Sequence, residues 1–178
     1  MVDAERDECT TPEQAFEQHF AMVWRSLRRL GVAPHALDDA AQDVFLVLHR
    51  RWLDYDPASP LRPWLFGIAF RVASAHRKRA AREVPHAFIE VEDIGPHPDQ
   101  AADAKRARVL VLRALEQVPL PRRAVFVMHD LDDADMRDIA SSLSIPLFTA
   151  YSRLRKARKE FEAAVRRQGH QRHQGRHR

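Results

Sequence analysis

The chemistry most legible in this chain is recognition of a polyanion. It is carried by Asp138-Ile139-Ala140-Ser141-Ser142-Leu143-Ser144-Ile145-Pro146 and the basic stretch that follows. A short helix turning Ile139, Ala140 and Leu143 inward, a tight turn, then a second helix is helix-turn-helix grammar. Ala140 is small where two crossing helices must approach, and Ile145 plugs the core from the turn. On the second helix Leu147, Ala150, Leu154, Ala157 and Phe161 share one face. The opposite face offers Phe148, Tyr151, Ser152, Arg155, Lys156 and Lys159, with Thr149 beside them. Such a helix can enter a major groove with its N-terminal half at base edges and its cations at phosphates. A helical hairpin with a merely solvated basic face is the plainer alternative. The coincidence of turn spacing and basic outer stripe favours DNA.

Two further segments have chemistry of their own. In Asp38-Asp39-Ala40-Ala41-Gln42-Asp43-Val44-Phe45, helical spacing puts Asp39, Gln42 and Asp43 on one exposed stripe. An acidic stripe repels DNA but suits a basic protein surface; standing alone, it reads as an ordinary solvated face. In Leu61-Arg62-Pro63-Trp64-Leu65-Phe66-Gly67-Ile68-Ala69-Phe70-Arg71, inward Leu65 and Ile68 leave Trp64, Arg71, Ser74 and Lys78 on the other side. Aromatics among cations suit the unstacked bases of a single strand. Taken singly, Trp64 and Phe66 fit core or domain-edge packing better.

These segments need helices to position them, and the composition supplies helix formers. Alanine, leucine and arginine dominate, and the chain has only five glycines in 178 residues, which favours helix over sheet. Thr11 can cap a helix begun by Pro12, with Gln14 at capping-box spacing. Phe16, Phe20, Val23, Leu27 and Leu30 then form one apolar stripe, ended by Gly31 and Pro34. A second helix is expected from about Leu37 to Leu53, burying Leu37, Ala41, Val44, Leu48 and Trp52. After a loop with two prolines, Asp54 to Pro60, a third runs from near Pro63 to about Arg82. From Glu83 to Ala102, Pro85, Gly95, Pro96 and Pro98 break the pattern, as in an interdomain linker. Beyond it, Val109, Leu112 and Leu115 mark a fourth helix, and Pro121 to His129 a fifth. Asp132 or Asp133 can cap a sixth that runs through Leu143, and the seventh follows the turn at Ser144 to about Arg167. The tail from Gln168 to Arg178 is Gly, Gln, His and Arg, with nothing to bury, so disorder is expected.

Charge is unevenly spread around a net +4. Arg62, Arg71, Arg77, Lys78, Arg79 and Arg82 form one basic block, and the last thirty residues form another, as expected for two contacts with a polyanion. Cys9 is the only cysteine, which excludes an internal disulfide and any multi-cysteine metal site; a reducing cytoplasm suits it. No stretch approaches the roughly 20 apolar residues of a membrane span, and the acidic N-terminus lacks a signal core.

The ordered signals together resemble the extracytoplasmic-function sigma factors, the minimal two-domain members of the sigma-70 family. The motifs are Asp39-Ala40-Ala41-Gln42-Asp43-Val44-Phe45, Arg62-Pro63-Trp64-Leu65-Phe66-Gly67-Ile68-Ala69, Leu120-Pro121-Arg122-Arg123, Ile139-Ala140 and Ser152-Arg153-Leu154-Arg155-Lys156-Ala157-Arg158. Each is loose alone; their order and spacing are specific. The resemblance implies an all-α chain of two small helical domains joined by a flexible linker. A sigma-2-like three-helix bundle spans residues 11–82, a linker 83–102, a sigma-4-like helix-turn-helix domain 103–167, and a disordered basic tail 168–178. It implies that Asp39, Gln42 and Asp43 dock on the β′ clamp helices of core RNA polymerase. Tyr55, Arg62, Trp64, Arg71, Ser74 and Lys78 then belong to melting and holding the −10 promoter element. The second domain would dock on the β flap and read the −35 element with Phe148, Thr149, Tyr151, Ser152, Arg155, Lys156 and Lys159. An anti-sigma factor wedged between the domains is the family's usual restraint. Arg71 stands where Asn is common, Phe148 where Gly is common, and Tyr151 where a basic residue is common, all at positions that set specificity.

Two rivals follow from the residues. A helix-turn-helix regulator acting without polymerase leaves the Asp39-Gln42-Asp43 stripe and the Trp64 helix unexplained. An enzyme or metalloprotein has only His170, His173 and His177 to offer, in a tail without acidic or cysteine partners. The expectation is therefore binding rather than catalysis, with no cofactor and no metal.

Overall fold

A computed structural model of the chain describes residues 11–83 and 100–175. Among the described residues the secondary structure is helical throughout. Helices α1 (Pro12–Arg29), α2 (Leu37–Arg50) and α3 (Leu61–Glu83) pack as a three-helix bundle. Helices α4 (Gln100–Glu116), α5 (Leu120–Phe126), α6 (Met136–Ser142) and α7 (Leu147–Gly175) form the second unit, with α7 against α4, α5 and α6. Helix α4 thus begins inside the segment expected to be linker; residues 84–99 of that segment, and Cys9, lie outside the described residues.

Helix starts follow the local chemistry. The Thr11 side chain accepts from the Gln14 backbone N–H at 3.3 Å, and Pro12 opens α1 without losing a hydrogen bond. Two helix ends share one device, in which a residue of positive φ turns the chain, and its own N–H and that of the following residue bond back into the last turn. At α1 the residue is Gly31 (φ 86°), with Gly31 N–H on Arg28 O and Val32 N–H on Leu27 O. At α6 it is Ser144 (φ 54°), with Ser144 N–H on Ser141 O and Ile145 N–H on Ala140 O. The tight turn expected at Ser144-Ile145-Pro146 is therefore present.

Several expectations are corrected. Phe16 and Phe20 are 46% and 37% exposed; Ala15, His19 and Met22 take the inward positions, because α2 covers only part of the α1 stripe. Helix α2 ends at Arg50, and a 3-10 turn, Trp52–Asp54, leaves Leu53 in solvent and Trp52 half-buried. Helix α5 stops at Phe126 and widens into a π turn, Val127–Leu131. The cap of α6 is Asp135, whose side chain accepts from Arg137 N–H at 2.7 Å, not Asp132 or Asp133. Asp132 is occupied by Arg29 at 2.6 Å, and Asp133 sits at φ 52°. The tail expected to be disordered continues α7 to Gly175. Extending an existing helix costs far less order per hydrogen bond than starting one, and Ala164 is still buried at this end, where α7 packs on α4.

One apolar core runs through both units, from Ala15 to Ala157. At its centre lies Arg123, 1% exposed. Its guanidinium donates to Val118 O (3.1 Å) and Glu116 O (3.0 Å) at the end of α4, and to Leu30 O (3.0 Å) at the end of α1. Helix C-termini present unpaired carbonyls and the negative end of the macrodipole, so they suit a buried cation. Burial nevertheless pulls the Arg123 pKa down to about 10, with the Arg77 charge adding to it. Arg77 itself donates to Gly31 O at 3.0 Å.

Arg123→Leu leaves these acceptors buried and unpaired. It is expected to lower unfolding free energy by about 2–4 kcal/mol in urea titration; a change below about 0.5 kcal/mol contradicts the capping role. A second pair ties α7 to the π turn: Arg158 donates to both Asp130 oxygens at 2.8 and 2.7 Å and holds that carboxyl below the usual carboxylate range. A depressed folded pKa contributes stability above the unfolded pKa and loses it as pH falls through the folded value. Asp130→Asn is therefore expected to cost about 1 kcal/mol at neutral pH after solvent screening. That cost should shrink below the carboxylate range; a pH-independent cost contradicts the ion pair.

Candidate nucleic-acid and protein interfaces

The seventh helix presents its two faces as the spacing requires. Ala150, Leu154 and Ala157 are buried, and Phe161 packs on Phe126 with ring centroids 4.9 Å apart. Leu147, expected on the inward face, is 39% exposed at the first turn. On the outer face Phe148 is 83% and Tyr151 56% exposed, and Arg155, Lys156 and Lys159 are exposed. Thr149 and Ser152 are half-buried at its edges. Phe148, Tyr151, Ser152, Arg155 and Lys159 line one shallow depression. The fold thus exposes five of the seven expected −35 residues, Phe148, Tyr151, Arg155, Lys156 and Lys159, on one basic and aromatic face, with Thr149 and Ser152 at its edge. Phe148 does not fold back onto its domain.

The α3 residues are less uniform. The loop before α3 is fastened by Tyr55 Oη donating to Ser59 O at 2.7 Å and by Asp56 accepting from Ala58 N–H and Ser59 Oγ. Trp52, Tyr55 and Trp64 form a chain of tilted rings with centroids 5.6 and 5.1 Å apart. Trp64 is half-buried, so its ring is a platform at the edge of the core rather than a free one. Arg62 and Lys78 are exposed, and Ser74 Oγ donates to its own helix at Phe70 O, 2.8 Å. Arg71 donates to Gly67 O (2.9 Å), Ser142 O (3.3 Å) and Ser144 Oγ (3.3 Å), the last two in the second unit. The middle of α3, from Leu65 to Ala69, is buried all round because both units press on it.

On α2, Asp39, Gln42 and Asp43 are exposed as expected. Asp43 Oδ2 meets His76 Nε2 of α3 at 2.9 Å, and the neighbouring Asp38 accepts from Trp24 Nε1 at 3.0 Å. Next to this stripe lies a feature the periodicity argument missed. Phe16, Phe20 and Phe45 cluster with centroids 4.8 to 6.1 Å apart, and with Leu46 (47% exposed) they floor an open groove. Glu13, Glu17, Asp38 and Gln42 form its rim. The available signal was the width of the α1 stripe: its aromatics outnumber what one neighbouring helix can cover.

Among the described residues no cluster of three or more His, Cys, Asp or Glu side chains is placed to hold a metal ion. No described helix is long and apolar enough to cross a membrane. The side chains of His170 and His173 and all of His177 lie outside the described residues.

Comparison with known proteins agrees with this geometry. Residues 15–83 match the family described as Sigma-70 region 2, and residues 108–161 match Sigma-70, region 4. The chain is 30% identical over 146 residues to the ECF RNA polymerase sigma factor SigM of Mycobacterium tuberculosis, covering 82% of this chain and 72% of that protein. It is 25% identical over 166 residues to the ECF RNA polymerase sigma factor SigE of Mycolicibacterium smegmatis, covering 90% of this chain and 64% of that protein. Among solved structures, CnrH in complex with the cytosolic domain of CnrY shares the fold at a TM-score of 0.64 and 22% identity, covering 86% of each chain. With its two sigma-70 regions in order and these relatives, the chain belongs to the extracytoplasmic-function RNA polymerase sigma factors.

Proposed function

We propose that the chain joins core RNA polymerase through the α1–α2 groove, opens the −10 element with α3, and reads the −35 element with the outer face of α7. The observation that carries this reading is the groove. Its floor is apolar and aromatic and its rim acidic, a combination that repels DNA and suits a helix of basic and apolar character. It continues the Asp39-Gln42-Asp43 stripe, so one surface of α1 and α2 serves the β′ clamp helices. A regulator that never meets polymerase has no use for it.

The nucleic-acid surfaces divide by chemistry. Arg155, Lys156 and Lys159 supply charge for phosphates and base edges, and Phe148 and Tyr151 supply apolar contact of the kind a thymine methyl accepts. Near the start of α3, Arg62 and the Tyr55–Trp64 stack offer charge and ring edges to an unpaired strand. Capture of extruded bases offsets the few kcal/mol needed to unstack each step. The activity is regulatory binding rather than catalysis. An anti-sigma partner fits the same reading; the sigma factor RpoE of Bartonella quintana, which shares this fold, was solved with the anti-sigma factor NepR.

Leu46→Glu, a surface change, is expected to leave stability unchanged and weaken binding to core polymerase about thirtyfold, as for a buried interface residue. Equal affinity in a polymerase titration contradicts the groove assignment. Arg155→Ala is expected to reduce use of the preferred −35 sequence by about 1–3 kcal/mol while sparing sequences altered at the contacted base pair. A uniform loss across −35 variants assigns Arg155 to phosphate instead, and undiminished promoter use removes it from the interface.

A further inference from the structure

Among the described residues the large apolar side chain most open to solvent is Leu53, 98% exposed against 83% for Phe148 on α7. A lone exposed leucine is ordinary on a protein surface. This one is set apart by how firmly its turn is held and by what surrounds it. The 3-10 turn Trp52–Asp54 is closed by Asp54 N–H on Arg51 O at 2.9 Å and Tyr55 N–H on Trp52 O at 3.1 Å. Arg51 Nε donates to Asp54 Oδ2 at 3.0 Å across the same turn. In a 3-10 turn successive side chains are rotated by about 120°. With Trp52 packed on Tyr55, and Tyr55 on Trp64, the next side chain is aimed away from the core. Leu53 therefore stands in water on a fixed base, beside the Trp52 end of the ring stack.

Cations surround it. Arg50 and Arg51 precede it and Arg62 follows the loop at the start of α3, all three exposed. The nearby carboxylates are occupied: Asp54 by Arg51, and Asp56 by the Ala58 N–H and the Ser59 hydroxyl. The cations draw this corner onto a nucleic-acid backbone, and the ring stack offers a platform to an unpaired base. Neither feature parts a base pair from its neighbour. Proteins that kink or unstack a duplex do so by inserting an apolar side chain such as Leu, Ile, Phe or Met between base steps. Leu53 has that chemistry, full exposure, and a turn whose hydrogen bonds keep it from folding away.

We propose that Leu53 is the wedge that starts opening of the −10 element, entering between base pairs while the Tyr55–Trp64 stack receives the freed base. The inference rests on the promoter reading given above and adds to it the residue that acts before any base is free. The occupant of this corner is the paired duplex, rather than the opened strand or polymerase.

Leu53→Ser removes the apolar wedge and Leu53→Met keeps one; at 98% exposure neither change disturbs the core. Each full-length variant, bound to core polymerase, is compared with the unaltered chain on a fully paired promoter and on the same promoter with mismatched, already open −10 positions. On the paired template Leu53→Ser is expected to lower permanganate reactivity of the −10 thymines and run-off product about tenfold, the scale of one leucine side chain returned to water. On the open template it is expected to lose nothing, and its affinity for core polymerase to stay unchanged. Leu53→Met is expected to behave as the unaltered chain. Full activity of Leu53→Ser on the paired template overturns the proposal, as does a Leu53→Met as poor as Leu53→Ser. An equal loss on both templates also overturns it and places Leu53 in strand holding; weaker polymerase binding overturns it and places Leu53 at the protein interface. If the unaltered chain initiates on neither template the promoter reading itself falls; if it initiates on both and Leu53→Ser does equally, only the wedge is removed.

Discussion

A single buried guanidinium organises this molecule. Arg123 sits where the ends of α1 and α4 converge, and it answers carbonyls that their helices cannot satisfy. A buried cation is costly. Here the cost is offset by three carbonyl acceptors and by the negative ends of two helix dipoles. Because one acceptor belongs to the first unit and two to the second, the same side chain that completes the second unit also sets its placement on the first. The Arg29–Asp132 pair and the Arg71 contacts then operate on a seam already in register.

From that constraint the exposed surfaces follow. With α3 buried by both units along its middle, what remains on the outside is segregated by chemistry. The α1–α2 side is acidic and aromatic, and the outer face of α7 is basic and aromatic. Opposite characters on separate faces let one chain hold a protein and a nucleic acid without either competing for the other's site. The seam between the units is the exception: there Arg71 is engaged by Ser142 O and Ser144 Oγ.

The sequence disclosed most of what is local. Thr11 as a cap, the turn at Ser144, the buried face of α2 and the two-faced α7 are all matters of nearest neighbours on one helix, and all are present. What it withheld depends on distant partners. Phe16 and Phe20 read as core because periodicity gives a stripe but not the width its neighbours cover. Arg123 stands in the sequence only as part of a family motif, and its burial is not legible because its partner Leu30 lies 93 residues away. Arg71 reads as free for DNA because nothing near it in the chain announces Ser142 and Ser144. The π turn after Phe126 displaced the α6 cap from Asp132 for a similar reason: Asp132 is claimed by Arg29, 103 residues away. The length of α7 is not legible from burial alone, because an established helix propagates cheaply through Arg, Gln and His that have nothing to bury.

The central claim is that one chain opens a duplex at one place while anchoring upstream at another, and only on polymerase. Permanganate reactivity combined with protection mapping on one promoter complex tests it directly. The account predicts reactive thymines in the −10 region together with protection of the −35 element, both requiring the chain and core polymerase together. Protection of the upstream element by the chain alone, with no reactive thymines when polymerase is added, would contradict it.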